Sequence, residues 1–130
     1  LAAAKARGQR LAIATTTSRG NIDALLSQAL GASWAAGFDA IVAGDDVRHK
    51  KPAPDVYLET LARLKLGAVD CVAIEDSANG LIAASRAGIP VLITRSIFFA
   101  DDDFSAARAV LDDLSELAAK QETEKQPHAR

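Results

Sequence analysis

Residues 71–95 read CVAIEDSANGLIAASRAGIPVLITR, and this stretch decides the fold that we predict for the chain. Cys71–Ile74 is a short apolar run without polar alternation, which is typical of a strand covered on both faces. Ser77 can cap a helix that ends at Gly88, and Val91–Ile93 begins a second buried strand. The order of strand, acidic loop, helix and strand predicts an α/β domain with an open parallel sheet.

Two carboxylates, Glu75 and Asp76, follow directly where the first of these strands ends. Ligands of open parallel sheets bind at the carboxyl ends of the strands, and paired hard oxygen ligands suit Mg²⁺. An isolated Glu-Asp pair has a simpler interpretation as helix capping, because acidic side chains are also favourable at a helix N-terminus. The metal interpretation therefore depends on what the rest of the chain carries.

The composition places the chain among ordinary globular domains. It has 130 residues, of which 49% are hydrophobic and 25% are charged, and its formal net charge is −2. No basic region predicts nucleic-acid binding, and no apolar run is long enough to span a bilayer. The length is sufficient for one core, but it would leave a larger fold incomplete.

The single cysteine, Cys71, cannot form an internal disulfide. Its place in a predicted buried strand indicates a small core residue. These features favour a cytoplasmic protein, or a protein of the chloroplast stroma in a photosynthetic eukaryote. At the start of the chain, Leu1–Gly8 is typical of the second half of a helix that ends at Gly8. We therefore expect the chain to begin at a cut.

Four hydroxyl residues, Thr15–Ser18, follow the strand predicted at Leu11–Ala14. Hydroxyls and amides at this position can bind an oxyanion, and we expect the Thr15 hydroxyl and the Thr16 amide to point at one. The alternative is a Thr-rich strand end in which Ser18 only caps the next helix. That helix is predicted by apolar residues at helical spacing, which are Ile22, Leu25, Leu26, Ala29 and Leu30.

A third short strand is predicted at Ile41–Ala43, after a loop that holds Trp34. We expect Trp34 to pack in the core and not to stack on a ligand. Asp45 and Asp46 follow this strand, as Glu75 and Asp76 follow theirs, but we favour a solvated loop for them.

Residues 49–55 read HKKPAPD and predict a rigid turn. Pro52 keeps Lys51 out of the α region, and Pro54 suits the start of a helix in which Asp55 is favourable near the N-terminus. The turn therefore fixes the point at which Lys51 leaves the backbone. Such a constraint serves no purpose for a surface lysine, but it suits one that must reach a phosphate as a point charge.

In chain order, the sequence presents a hydroxyl at a strand end, a lysine in a proline-braced turn and a carboxylate pair at a later strand end. This order resembles the second, third and fourth motifs of the haloacid-dehalogenase-like (HAD) phosphohydrolases. Residues 51–55 (KPAPD) and 75–80 (EDSANG) are similar to those of the subgroup that contains β-phosphoglucomutase and phosphoglycolate phosphatase. Residues 14–18 (ATTTS) and 101–104 (DDDF) resemble those of the CbbY-type sugar-phosphate phosphatases, which act on xylulose 1,5-bisphosphate.

The resemblance implies a Rossmann-like three-layer α/β/α parallel sheet and a Mg²⁺-dependent phosphatase that acts on a small sugar phosphate. It implies that the Thr15 hydroxyl and the Thr16 amide bind the transferring phosphoryl group, and that Lys51 neutralises charge on the phosphate and on the attacking carboxylate. Asp76 would coordinate Mg²⁺ directly, with Glu75 beside it. These roles suit the chemistry, because phosphoryl transfer depends mostly on positioning and charge stabilisation.

The chain departs from the family pattern in its first motif. That motif, Asp-x-Asp-x-Thr after the first strand, carries the nucleophile and the general acid/base, and its only lookalike is Asp101–Ser105, at the wrong end of the chain. The helical capping domain is missing too. In the family the missing first strand lies between the strands that end at Thr15 and at Glu75, so two apolar strand edges would be exposed. We expect residues 1–119 to be the carboxyl-terminal part of a HAD core, inactive alone, which requires the missing N-terminal segment or a neighbouring chain.

The last part of the chain mixes loop and element signals. We predict a loop at Asp101–Ser105, because no glycine permits close approach and consecutive acids repel a phosphate. Apolar residues from Ala107 to Ala118 have helical spacing, but the resemblance places a short strand near Ala109–Leu111, and we follow the resemblance there. Residues 120–130 are polar and predict a disordered tail.

Two other functions remain open from the sequence. One is a non-catalytic remnant of this fold that binds phosphate, a metal or only a partner chain. The other is a response-regulator receiver domain, which also places acids, a hydroxyl and a lysine around Mg²⁺. In that class the acids come first and the lysine last, whereas here the order is hydroxyl, lysine, acids.

Overall fold

The computed structural model describes residues 1–117, which form four α-helices and five short strands. The helices are α1 (Ala2–Ala6), α2 (Arg19–Leu30), α3 (Asp55–Leu64) and α4 (Ala78–Arg86), and the strands are β1 (Ala12–Ala14), β2 (Ala40–Val42), β3 (Ala73–Glu75), β4 (Val91–Thr94) and β5 (Ala109–Leu111). Strands and helices alternate along most of the chain, as a parallel α/β fold requires.

All strand pairs are parallel, and they form two sheets within residues 1–117. In the first sheet β1 pairs with β2, with Ile13 opposite Ile41. In the second, the order is β3-β4-β5, with Ile74 opposite Leu92. The predicted Rossmann-like parallel fold class is therefore confirmed as a partial core. Within residues 1–117, β1 and β3 each pair on one side only, and they are the two strands between which the family resemblance implies a further strand.

The predicted helix starts are set by local hydrogen bonds. The Ser18 hydroxyl oxygen accepts from the Asn21 amide at 3.2 Å and caps α2. The Ser77 hydroxyl oxygen accepts from the Gly80 amide at 3.1 Å and caps α4. After α4, Gly88 adopts a φ of +80°, which a residue with a side chain rarely adopts, and the chain turns into β4.

Two apolar clusters pack on opposite faces of β2. Val42 lies in the larger cluster with Val56 of α3, while Ile41 lies in the smaller one with Ile22 of α2. Trp34 is buried in the smaller cluster and its ring centroid lies 6.0 Å from that of Phe38, in an edge-to-face arrangement. The prediction that Trp34 packs in the core is confirmed.

The prediction that the central strand is covered on both faces is wrong for the described residues. Ile74 of β3 is 49% exposed, and Cys71 is partly buried just before the strand, not within it. On α2 only Ile22 is buried, and Leu25 remains 65% exposed. Ile74 is exposed because α4 packs on one face of the second sheet, whereas nothing in residues 1–117 covers the other face at Ile74.

The end of the described chain follows the resemblance and not the periodicity. Ala109–Leu111 is strand β5, whereas helical spacing alone predicted a helix there. Residues 120–130, for which we predict a disordered tail, lie outside the described residues. No helix within residues 1–117 is long and apolar enough to cross a membrane.

Candidate active site

The ends of the two sheets are joined by one side chain, that of Lys51. Its Nζ donates to the carbonyl oxygen of Ala14, the last residue of β1, at 3.1 Å. It also donates to Oε1 of Glu75, the last residue of β3, at 2.5 Å. Thr15 and Asp76 are the next residues after these strand ends, so the residues predicted for the site gather around the carboxyl ends of β1 and β3.

The turn that carries Lys51 is braced as the prolines predicted. The Lys51–Pro52 peptide bond is cis, and the Ala53 amide donates to the Lys50 carbonyl oxygen at 3.0 Å. Arg86 Nη1 of α4 donates to the Pro52 carbonyl oxygen at 3.3 Å. The Lys51 side chain is only 14% exposed, so it lies along the protein and not in solvent.

Glu75 is held by groups that sequence reasoning missed. The carboxylate is 9% exposed, and Oε1 accepts from the Tyr57 hydroxyl as well as from Lys51. On its other side lies Gly80, where an added Cβ would stand 2.0 Å from Oε2. A glycine in the first turn of a helix is unfavourable, and this was the available signal that something approaches closely there.

The phenol of Tyr57 is shielded from water and faces a negative charge. Burial, followed by the charge and hydrogen bond of Glu75, raises the pKa of Tyr57 far above its ordinary value of 10.0. In the folded chain Tyr57 is therefore a neutral hydrogen-bond donor to Glu75 over the whole physiological pH range.

This raised pKa predicts a loss of stability at high pH. Unfolded Tyr57 releases its proton near pH 10, whereas the folded chain retains it, so the free energy of unfolding should fall as the pH rises above about 10. Tyr57 is the only tyrosine, so its near-ultraviolet tyrosinate absorbance reports this group alone. Urea unfolding from pH 8 to 11 should show a steeper loss for the wild type than for Tyr57→Phe. Equal slopes, or tyrosinate absorbance in folded protein near pH 10, would contradict the assignment.

The hydroxyl-rich segment after β1 is fitted tightly against the loop after β2. The Thr15 amide donates to the Val42 carbonyl oxygen at 3.0 Å, and the Thr15 hydroxyl oxygen accepts from the Thr17 amide at 3.2 Å. Gly44 packs so closely that an added Cβ would lie 2.2 Å from the Thr16 carbonyl oxygen. The Thr16 amide makes no hydrogen bond to any other group in residues 1–117. The segment therefore presents one unused amide at the strand end.

The carboxylates predicted to bind Mg²⁺ have different surroundings. Asp76 is exposed and makes no hydrogen bond or ion pair within residues 1–117, so its oxygens are available as hard ligands. Glu75 directs Oε1 at Lys51 and Tyr57 instead. No group of three or more metal-ligating side chains exists within residues 1–117. The exposed Asp76 carboxylate suits one ligand position of a magnesium site. The metal roles of Asp76 and Glu75 remain predictions.

The second acidic pair, Asp45 and Asp46, is exposed, as predicted, but it lies in a short 3₁₀ helix, Gly44–Asp46, and not in a loop. Asp46 accepts from the Ala43 amide at 2.8 Å, and Asp45 accepts from the Arg19 amide at 3.1 Å, while both residues are exposed. These carboxylates satisfy backbone amides that β2 and α2 leave unpaired.

The Asp101–Ser105 segment is also a loop, as predicted. Asp102 accepts from the Ala78 amide at the start of α4, at 2.8 Å. The Ser105 amide donates to Asp103 at 2.9 Å, and hydrogen bonds from Ser105, that of its amide first, lower the pKa of the Asp103 carboxyl. Asp102 and Asp103 therefore accept hydrogen bonds from backbone amides, one at the start of α4 and one within the loop itself.

Comparison with known proteins matches residues 1–88 to the family of haloacid dehalogenase-like hydrolases. Protein CbbY of Cupriavidus necator is 52% identical over 118 residues, which is 91% of this chain and 46% of that protein. Protein CbbY of Rhodobacter capsulatus is 50% identical over 90% of this chain and 52% of its own length.

A crystal structure of CbbY from Rhodobacter sphaeroides in complex with phosphate superposes with a TM-score of 0.83 at 42% identity. The match covers 89% of this chain and 52% of that one. The chain thus spans about half the length of the relatives it matches. On this sequence match and on the shared fold, the chain belongs to the haloacid dehalogenase-like hydrolase family.

Proposed function

We propose that this chain is the carboxyl-terminal part of the core of a Mg²⁺-dependent phosphohydrolase that acts on a small sugar phosphate through an aspartyl-phosphate intermediate. The observation that carries the proposal is the position of the Lys51 ammonium. It contacts the ends of both β1 and β3, two strands that do not pair with each other within residues 1–117. A strand placed between those edges would end beside this charge. An attacking carboxylate at its end would then face a lysine, as the resemblance implies.

The roles of the remaining residues follow from their chemistry. The Thr15 hydroxyl and the unused Thr16 amide would bind oxygens of the transferring phosphoryl group. Lys51 would offset the charge of the phosphate as a compact point charge. Asp76, with Glu75 beside it, would hold Mg²⁺, which when bound supplies further charge stabilisation on the phosphoryl oxygens.

The substrate class is supported by a relative. CbbY from Rhodobacter sphaeroides has also been crystallised as a variant in complex with xylulose 1,5-bisphosphate. That chain is 42% identical to this one, and the match covers 89% of this chain. We therefore expect a small phosphorylated sugar to be the substrate. We also expect a cytoplasmic location, and neither a nucleic acid nor a membrane as a partner.

A reassembly assay tests the proposal. The chain, residues 1–130, is mixed with the amino-terminal half of CbbY from Cupriavidus necator, and phosphate release from xylulose 1,5-bisphosphate is measured with and without Mg²⁺. We expect release only from the mixture and only with Mg²⁺. Lys51→Ala in the mixture should lower the rate at least about 100-fold, on the scale of losing a preorganised charge at the reacting group.

Two results would count against the proposal. A mixture that forms a stable complex, binds phosphate and yet releases none from the sugar phosphate would favour the alternative of a non-catalytic remnant. Release that is unaffected by Lys51→Ala would show that the bridge between β1 and β3 is not part of the reacting site.

A further inference from the structure

Tyr57 lies under the Lys51 ammonium, on the buried face of α3. It is 6% exposed, and its ring centroid lies 5.0 Å from Lys51 Nζ, within the range of a cation–π interaction. Its hydroxyl donates to the same Glu75 oxygen that accepts from Lys51. The Tyr57 ring thus contacts Lys51, and the Tyr57 hydroxyl contacts Glu75, which forms an ion pair with Lys51.

The Lys51 ammonium is held on three sides. An ammonium has three hydrogen-bond donors, and within residues 1–117 two of them are taken by the Ala14 carbonyl oxygen and by Glu75. The Tyr57 ring covers a further side. The remaining donor is the one that a phosphate or an attacking carboxylate can accept from.

The position of the ammonium depends on the position of the Glu75 carboxylate, and Tyr57 fixes that carboxylate. On its Oε2 side the carboxylate packs directly against Gly80, where an added Cβ would stand 2.0 Å from Oε2. On its Oε1 side the carboxylate accepts a hydrogen bond from the hydroxyl of Tyr57, which lies on α3, whereas Gly80 lies on α4. A flexible four-carbon side chain such as that of Lys51 would otherwise sample many rotamers.

We infer that Tyr57 is a positioning residue for Lys51, and that its hydroxyl, acting through Glu75, keeps the ammonium at the gap between β1 and β3. The inference rests on the proposed function only for the role of Lys51 in the reaction. The geometric part, that the Tyr57 hydroxyl restrains the ammonium, stands on the contacts alone.

The test removes the hydroxyl and retains the ring, with Tyr57→Phe. Its matched control is Thr60→Val, one turn further along α3. Thr60 is also 6% exposed, and its hydroxyl donates to the Val56 carbonyl oxygen at 2.6 Å, so the control removes a buried hydroxyl of the same helix with a different partner. The chain, residues 1–130, is labelled with ¹⁵N-lysine, and the Lys51 ammonium signal is assigned by its absence in Lys51→Arg.

We expect the wild-type Lys51 ammonium protons to exchange with water slowly. Tyr57→Phe should accelerate this exchange about tenfold or more, the factor expected for losing one hydrogen bond to a charged group, while Thr60→Val should leave it unchanged. In the reassembled enzyme, Tyr57→Phe should lower kcat more than it raises KM.

Three results would overturn the inference. The first is unchanged Lys51 exchange in Tyr57→Phe. The second is equal acceleration by Thr60→Val, which would indicate general loosening of α3. The third is an active reassembled enzyme whose kcat is unaffected by Tyr57→Phe. A reassembled enzyme without any activity would count against the proposed function alone, because the exchange measurement needs no substrate.

Discussion

Lys51→Met should lower the free energy of unfolding by about 3 kcal/mol, since it leaves a buried carboxylate without its charged partner. Glu75 is 9% exposed, and within residues 1–117 its only ion pair is that with Lys51. Urea unfolding of the chain measures the loss. The double variant Lys51→Met/Glu75→Gln should recover most of the stability, because both charges are then absent and Tyr57 can still donate to the amide oxygen.

The control for this prediction is an exposed ion pair. Arg19 and Asp23 lie 3.7 Å apart with side chains 47% and 52% exposed, and Arg19→Met should cost less than about 1 kcal/mol. If Lys51→Met costs no more than Arg19→Met, the Lys51–Glu75 pair is not the buried link between the sheets that the structure shows. The double variant should regain stability without regaining phosphatase activity in the reassembled enzyme, which separates the two roles of Lys51.

Gly44→Ala should destabilise the chain by about 3 kcal/mol, because the new Cβ would meet backbone and not a flexible side chain. It would lie 2.2 Å from the Thr16 carbonyl oxygen, and the Gly44 amide already donates to the Thr17 carbonyl oxygen at 2.8 Å. The segment that presents the Thr16 amide must then move away from β2. We expect weaker binding of inorganic phosphate in the reassembled enzyme together with a lower urea midpoint.

Gly20→Ala is the matched control for this substitution. Gly20 lies in α2, and a Cβ added there would have no atom within 4 Å, so alanine should stabilise by about 0.5–1 kcal/mol through the lower entropy of the unfolded chain. If Gly44→Ala and Gly20→Ala have the same effect, the close contact between the two loops is not present in solution.

The features that could be predicted from the sequence are those with local causes. The Ser18 and Ser77 caps and the stop at Gly88 depend on a few neighbouring residues, and the structure confirms all three. The same holds for the turn around Lys51, whose prolines act on adjacent residues. Local rules of this kind do not require knowledge of what packs from elsewhere.

The exposed face of β3 could not be predicted, because exposure depends on what covers a strand. An apolar run such as residues 71–74 is typical of a buried strand, yet Ile74 is 49% exposed because nothing in residues 1–117 lies over it. The apolar stripe of α2 was misjudged for the same reason at Leu25. At both Ile74 and Leu25 the apolar pattern predicts a buried side chain, but within residues 1–117 nothing covers it.

The environment of Glu75 also required the structure. Sequence spacing placed Glu75 beside Asp76 as a second metal ligand, whereas tertiary packing directs its Oε1 to Lys51, 24 residues earlier, and to Tyr57. Such pairings between distant segments leave no periodic signal. The resemblance implies which residues form the site, and the structure shows which of them contact each other.

Amide hydrogen exchange at the two free strand edges tests the central claim most directly. The chain is compared alone and in complex with the amino-terminal half of CbbY from Cupriavidus necator, and protection is read at Ala12–Ala14 and at Ala73–Glu75. We predict that both edges gain protection together in the complex, while β5, on the far side of β4, does not change. Protection that leaves β1 and β3 unchanged would contradict the account, because the gap bridged by Lys51 would then not be where the site is completed.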